Sequence, residues 1–166
     1  MNKFDKEVIL DIRDLSVNYN SGGNKIPAVK KVSLSLEKNK MLGIIGETGS
    51  GKSSLIRAVN GLIKHPGTTS FDKLEILSKI GSNNNFDFSE MRGSEIGFIP
   101  QNPFGSLNPV YKIKKQFNFE NKRHQLFGKK EMGSEIIRSL TEVGIADPER
   151  VSNSYSFELS GGMAQR

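Results

Sequence analysis

The sequence contains no cysteine. That excludes disulfides and thiolate metal sites, and it fits a cytosolic setting. It has no apolar run near the ~18 residues that a membrane-crossing helix needs. Apolar residues are scarce overall, at 35% of the chain. Met1 to Glu7 mixes charges with no long apolar stretch behind it, so it does not read as a secretory signal. There is no low-complexity block, no internal repeat and no clear linker. What remains is 166 residues, enough for a real core, since a domain of this size buries roughly 70% of its unfolded surface. Lys and Arg outnumber Asp and Glu by 24 to 18, for a net charge of +6. Such a balance suits nucleic acid or an anionic membrane surface. The lysines are scattered and no nucleic-acid recognition module is present, so the reading is a Lys-rich surface plus a phosphate site.

Hydrophobic periodicity gives an α/β pattern. Val8 to Tyr19 alternates as an antiparallel strand. Asn20 to Asn24 is turn-rich, and Val29, Val32, Leu34 and Leu36 mark a second strand. Met41-Leu42-Gly43-Ile44-Ile45 is a continuous apolar run, as a buried parallel strand requires. Leu55, Ile56, Val59, Leu62 and Ile63 recur at helical spacing, and Pro66-Gly67 is a stop signal. Gly67 to Gly93 reads as polar loop, and Ile96 to Ile99 as another buried strand. Val110 to Gly144 is basic and helix-capable, with Ile136, Ile137, Leu140 and Val143 on one face. The expected division is a core over residues 1–100 and a helical portion over 101–166.

Two motifs carry the chemistry. Gly46-Glu47-Thr48-Gly49-Ser50-Gly51-Lys52-Ser53 is a complete G-x-x-x-x-G-K-[ST], with Ser54 following. The glycines let backbone N–H groups wrap a phosphate, and the helix starting near Lys52 adds the positive end of its dipole. Lys52 is expected to reach the β- and γ-phosphates of a nucleoside triphosphate, and the Ser53 hydroxyl to ligate Mg²⁺. An apolar run before the loop and an amphipathic helix after it supply the right context. The second motif is Leu159-Ser160-Gly161-Gly162-Met163-Ala164-Gln165-Arg166. By itself, Ser160 reads equally well as a simple helix cap.

Together the two motifs resemble the ATP-binding subunit of an ABC transporter, whose signature is LSGGQ or a close variant. The resemblance implies a P-loop NTPase with an antiparallel β subdomain and a helical subdomain, truncated before the Walker B strand. It implies that two ATPase subunits sandwich nucleotide, so that Ser160, Gly161 and Gly162 face ATP held by a partner. Leu15-Ser16-Val17-Asn18-Tyr19 looks like the strand whose terminal aromatic stacks on adenine, which makes Tyr19 the candidate. The alternative for Tyr19 is an ordinary strand tyrosine half-buried against the core. Ile96 to Gln101 looks like the strand leading into the Q-loop, with Gln101 contacting Mg²⁺ and the attacking water.

The stretch Gln101-Asn102-Pro103-Phe104-Gly105-Ser106-Leu107-Asn108-Pro109-Val110 resembles the dipeptide, oligopeptide and nickel importer branch. Departures stand at Ser156-Phe157 and Ala164. Partners implied are a second ATPase subunit and transmembrane permease subunits, with a peripheral position on the cytoplasmic membrane face and no direct nucleic acid. In this family hydrolysis needs an Asp-Glu pair and a histidine that lie beyond the signature, and these residues are not in the sequence. His65 and His124 fall in the wrong places for that histidine. The expectation is therefore an N-terminal portion that binds nucleotide without turning it over. A soluble ABC ATPase without a permease, and a non-enzymatic remnant, are the alternatives.

Overall fold

The computed structural model describes residues 7–82, 84–124, 127–128 and 130–166. It divides into two compact units, Met1–Arg92 and Gly93–Arg166.

The first unit is an antiparallel sheet with one helix. Strands β1 (Val8–Ser21) and β2 (Asn24–Glu37) form a long hairpin. Its two-residue turn is Gly22-Gly23, both at positive φ, the backbone that matches the twist of the flanking strands. On its other edge β1 pairs with β3 (Gly67–Ser70) and β4 (Lys73–Ile76), and β4 pairs with β5 (Lys79–Ser82). Helix α1 spans Lys52–Val59.

The apolar phase of β1 changes midway. Ile12 and Leu15 are both fully buried although three residues apart. A strict two-residue alternation would put one of them in water. Asp14, at φ 52, supplies the irregularity that brings Leu15 back to the core face. Lys31 does the same for β2 at φ 44, between Val29 and Val32. The interrupted amides are bonded by hydroxyls of the opposite strand. Asp14 N–H donates to Ser33 Oγ at 3.0 Å, and Lys31 N–H to Ser16 Oγ at 2.9 Å. The core beneath holds Ile12, Leu15, Val17, Leu74, Ile76 and Met91, with Leu55 and Ala58 of α1 also buried.

The segment after Gly67 is not the polar loop that its composition suggests, because β3, β4 and β5 lie within it. In β4 Leu74 and Ile76 turn inward, and the polar positions between them meet other charges. Lys73 Nζ lies 3.1 Å from Asp11 of β1 and 2.7 Å from Glu75. Hydrogen bonds to Glu75 and then Asp11 hold the Lys73 ammonium above its ordinary pKa.

The second unit is helical: α2 (Ile113–His124), α3 (Met132–Glu142), α4 (Pro148–Asn153) and α5 (Gly161–Gln165), with a 3-10 turn at Ser156–Glu158. Ile113, Met132, Ile136, Leu140, Ile145, Val151 and Leu159 form its core. Of the expected helical face, Ile136 and Leu140 are buried, whereas Val143 caps the end of α3 and is exposed.

Two further expectations are corrected. Met41–Ile45 and Ile96–Ile99 form no named strand among the described residues. Met41 is 97% exposed, Ile45 95% and Ile99 81%. An apolar run becomes a buried strand only where a neighbouring strand takes up its N–H and C=O groups, and here, among the described residues, only Ile96 is so engaged, its carbonyl accepting from Gly93 N–H at 2.9 Å. Two substitutions separate the real core from this apolar run. Leu15→Ala should cost about 2–5 kcal/mol, the usual range for a fully buried leucine. Ile45→Ala should cost less than about 0.5 kcal/mol. Urea unfolding of both variants tests this, and a large loss at Ile45 would mean that it is buried after all.

Candidate functional site

The glycine loop is shaped by its neighbours in the first unit. Gly51, the N-cap of α1, adopts φ 95. A Cβ there would lie 2.2 Å from the Ala28 carbonyl oxygen of β2, so only glycine lets the loop sit this close to the hairpin. Leu55 N–H donates to Gly51 O at 2.8 Å, and the Leu55 side chain is buried, which seats the helix under the loop. No side chain caps α1. Its first-turn amides therefore face outward as donors, at the positive end of the helix dipole.

Lys52 folds back over the loop. Its Nζ donates to Gly46 O at 2.9 Å and Glu47 O at 2.6 Å. Glu47, Thr48, Gly49 and Ser50 are exposed, as is Ser53, while Ser54 is half-buried. An ammonium and several outward amides are the chemistry that receives a phosphate chain. The exposed Ser53 hydroxyl is the kind of hard oxygen ligand that Mg²⁺ accepts. Among the described residues no group of three or more His, Asp or Glu gathers as a metal site.

Tyr19 reaches the same place from β1. Its hydroxyl lies 3.2 Å from Ser54 Oγ, across 35 positions of sequence. Tyr19 pairs with Ile26 on one side and Gly67 on the other. A Cβ on Gly67 would stand 3.0 Å from the Tyr19 ring, so that glycine makes room for it. The ring is half-buried.

The second motif lies in the helical unit. Leu159 is buried in the core, and Ser160 beside it is exposed. Ser160 Oγ accepts from Met163 N–H at 3.2 Å, capping α5. Accepting that bond leaves the hydroxyl proton free to point outward. A Cβ on Gly161 or Gly162 would meet nothing within 4 Å.

Gln101 is exposed in the same unit. Gln165 Nε2 donates to Pro100 O at 3.2 Å, tying α5 to the residue before it. Sequence reasoning missed this link, and it missed Gln116. That side chain accepts from Asn108 N–H at 2.9 Å and donates to Asn108 O at 3.0 Å and Tyr111 O at 2.9 Å, clamping the Ser106–Pro109 turn. An amide eight residues from its partner leaves no periodic signal to find. Leu107 packs against the core, and Phe104 is exposed. His65 is exposed, and His124 pairs with Glu120 at 3.6 Å.

The family model described as ABC transporter matches residues 29–166. The chain belongs to the ABC transporter family. The oligopeptide transport ATP-binding protein OppD of Lactococcus lactis subsp. cremoris (strain SK11) is 36% identical over 167 residues, covering 98% of this chain and 48% of OppD. The dipeptide transport ATP-binding protein DppD of Escherichia coli (strain K12) is 36% identical over 162 residues, covering 95% of this chain and 49% of DppD. The chain thus spans about half the length of the curated relatives it matches. A solved structure of the ATP-binding cassette MJ0796, a dimer in a post-hydrolysis state bound to ADP and Pi, superposes with a TM-score of 0.72 at 21% identity. It covers 94% of this chain and 68% of that one, and it supports the α/β cassette fold. The ABC transporter match takes in both motifs and begins after Tyr19. Among the described residues no helix is long and apolar enough to cross a membrane.

The glycine geometry makes a graded prediction. Gly51→Ala should disrupt the loop through the Ala28 contact, with a stability loss above about 2 kcal/mol and loss of nucleotide binding. Gly49→Ala has open space and carries only the cost of its φ of 86, about 1–2 kcal/mol. Thermal unfolding and titration with a fluorescent ATP analogue should rank the two in that order.

Proposed function

We propose that this chain binds ATP with Mg²⁺ as the ATP-binding part of a peptide-importing ABC transporter. The observation that carries the reading is the uncapped start of α1, with the Lys52 ammonium held over it and Tyr19 bonded to Ser54 beside it. The amides from Gly46 to Ser54 and Lys52 would hold the phosphates. Ser53 would hold Mg²⁺, which supplies charge neutralisation between the terminal phosphates, and Gln101, exposed in the second unit, would take the Mg²⁺- and water-contacting role that the family resemblance implies. Tyr19 would present its ring to adenine.

Peptide is the proposed cargo because the relatives above carry oligopeptide and dipeptide in their names. Nothing in the structure favours nickel. The exposed Ser160, with its free hydroxyl proton next to Gly161 and Gly162, would meet the nucleotide of a second ATP-binding subunit. The segment from Gln101 to Val110 would meet a permease, which would keep the protein at the cytoplasmic face of the membrane. A cavity of about 590 Å³ bordered by Leu107, Asn108, Phe117 and Met132 supports a docking role for that region. The Asp-Glu pair that the family resemblance calls for is not in residues 1–166, so these residues by themselves should bind nucleotide without releasing phosphate.

Lys52→Ala should weaken binding of a fluorescent ATP analogue by about 2–4 kcal/mol, or roughly 30- to 1000-fold. Equal affinity of wild type and variant would remove the loop as the site. Tyr19 separates its two readings by paired substitutions. Tyr19→Phe keeps the ring and should bind nearly as wild type. Tyr19→Ala should lose about 1–3 kcal/mol if the ring stacks on the base. A loss confined to fold stability, with unchanged affinity, would make Tyr19 a core residue only.

A further inference from the structure

Lys and Arg, spread over the rest of the sequence, are concentrated in one stretch of the helical unit. From Lys112 to Lys130 there are seven Lys or Arg and one Glu, a surplus equal to the net charge of the whole chain, +6. Helix α2 sorts this surplus by face. At about 100° per residue, Ile113, Phe117 and His124 fall on one side, where Ile113 is buried and the other two are half-buried. Lys115 and Lys122 fall on the opposite side, Lys114 and Arg123 stand on its two flanks, and all four are exposed. The single acid, Glu120, lies next to the buried side and is paired with His124.

These cations have no ion-pair partner among the described residues. Lys114 bonds the neutral amide oxygen of Asn153 at 2.6 Å. Lys115 stands 4.2 Å from the Tyr111 ring and 5.8 Å from the Phe119 ring. Phe119 is 46% exposed between Lys115 and Arg123 on the charged face, packed edge-on against Tyr111. A solvated helix face ordinarily alternates charge sign and carries i,i+4 pairs. The arc from Lys114 round to Arg123 carries a single sign with an aromatic among the cations and the exposed Glu120 at its edge, a composition that suits a helix lying on an anionic bilayer.

We propose that the exposed face of α2 binds anionic phospholipid headgroups directly, laying the helical unit on the membrane surface independently of any protein partner. Charge complementarity commits the site to lipid: four unpaired cations across one helix face match a dense sheet of phosphodiesters. Lysine stems let the ammonium groups reach headgroups while Phe119 enters the interface. The inference does not depend on the nucleotide site, which lies in the other unit, and the two can fail separately.

The test is co-sedimentation of the whole chain with vesicles containing about 30 mol% phosphatidylglycerol, against pure phosphatidylcholine vesicles. Wild type should partition to the anionic vesicles and be released at about 0.5 M salt, where the screening length falls below about 5 Å. The triple variant Lys114→Gln, Lys115→Gln, Lys122→Gln should lose on the order of 100-fold in partitioning, since each cation near the surface contributes about fivefold. The control Lys25→Gln, Lys30→Gln, Lys40→Gln removes the same charge from exposed positions of the other unit and should stay within about threefold of wild type. Because the chain has no tryptophan, Phe119→Trp gives a single emission reporter, which should shift blue on anionic vesicles and not on neutral ones.

Equal losses in the two triple variants would reduce the effect to bulk charge and overturn the proposal. So would equal capture by phosphatidylcholine. Failure of folded wild type to bind anionic vesicles would also overturn it and point to an acidic protein segment as the occupant. Circular dichroism establishes folding for each variant, and Phe119→Trp keeps the surface testable if a lysine variant loses its helix.

Discussion

A fourteen-residue strand buries one face only while its side chains keep alternating in step. In β1 the apolar phase slips by one residue between Ile12 and Leu15, and the fold absorbs the slip at Asp14. The first unit depends on that adjustment. β4 pairs with the residues before it and β3 with the residues after it, so each half of β1 has its own neighbour. β2 must slip in register with it, which is why Lys31 also takes a positive φ and why Ser16 and Ser33 exchange bonds with the two irregular amides. Without the double adjustment, either Ile12 or Leu15 would face water, and Tyr19 at the far end would point away from α1.

The helix starts show how differently the chain treats its free amides. Asp147 accepts from Arg150 N–H at the start of α4, and Ser160 accepts from Met163 N–H at the start of α5. At α1 the cap is a glycine pressed against Ala28, which has no side chain to spend on the amides. Lys52 meanwhile bonds two loop carbonyls. These bonds fix the ammonium close to where phosphate would arrive, and phosphate oxygens would compete for the same three protons. The loop is thus held in shape by its own backbone, with its strongest donor already placed.

Much of this was legible in the residues, and for definable reasons. The hairpin, α1 and the buried pair Ile136 and Leu140 follow from periodicity, and the two motifs announce themselves by spacing alone. β3 to β5 escaped because strands of four residues offer too few positions for alternation to stand out from polar neighbours, although Leu74 and Ile76 carry it. The converse error arose at Met41–Ile45 and Ile96–Ile99. Apolar content records a capacity for burial, while a strand also needs a hydrogen-bonding neighbour, which is a property of distant sequence. The Tyr19–Ser54 contact and the Gln116 clamp are likewise long-range or aperiodic, so no local pattern encodes them.

Both motifs use one device to aim a polar group. Leu55 is buried three residues after Lys52, and Leu159 is buried immediately before Ser160. In each case an apolar side chain sunk into its own unit's core fixes the backbone from which an exposed polar group projects. The backbone from which Lys52 and Ser160 project is therefore set by packing, worth a few kcal/mol per leucine, and their own hydrogen bonds then place the polar atoms. A side chain held only by exposed hydrogen bonds would sample many rotamers. One whose backbone is pinned within a residue or a helical turn keeps its direction, and that is the condition for meeting a ligand at small entropic cost.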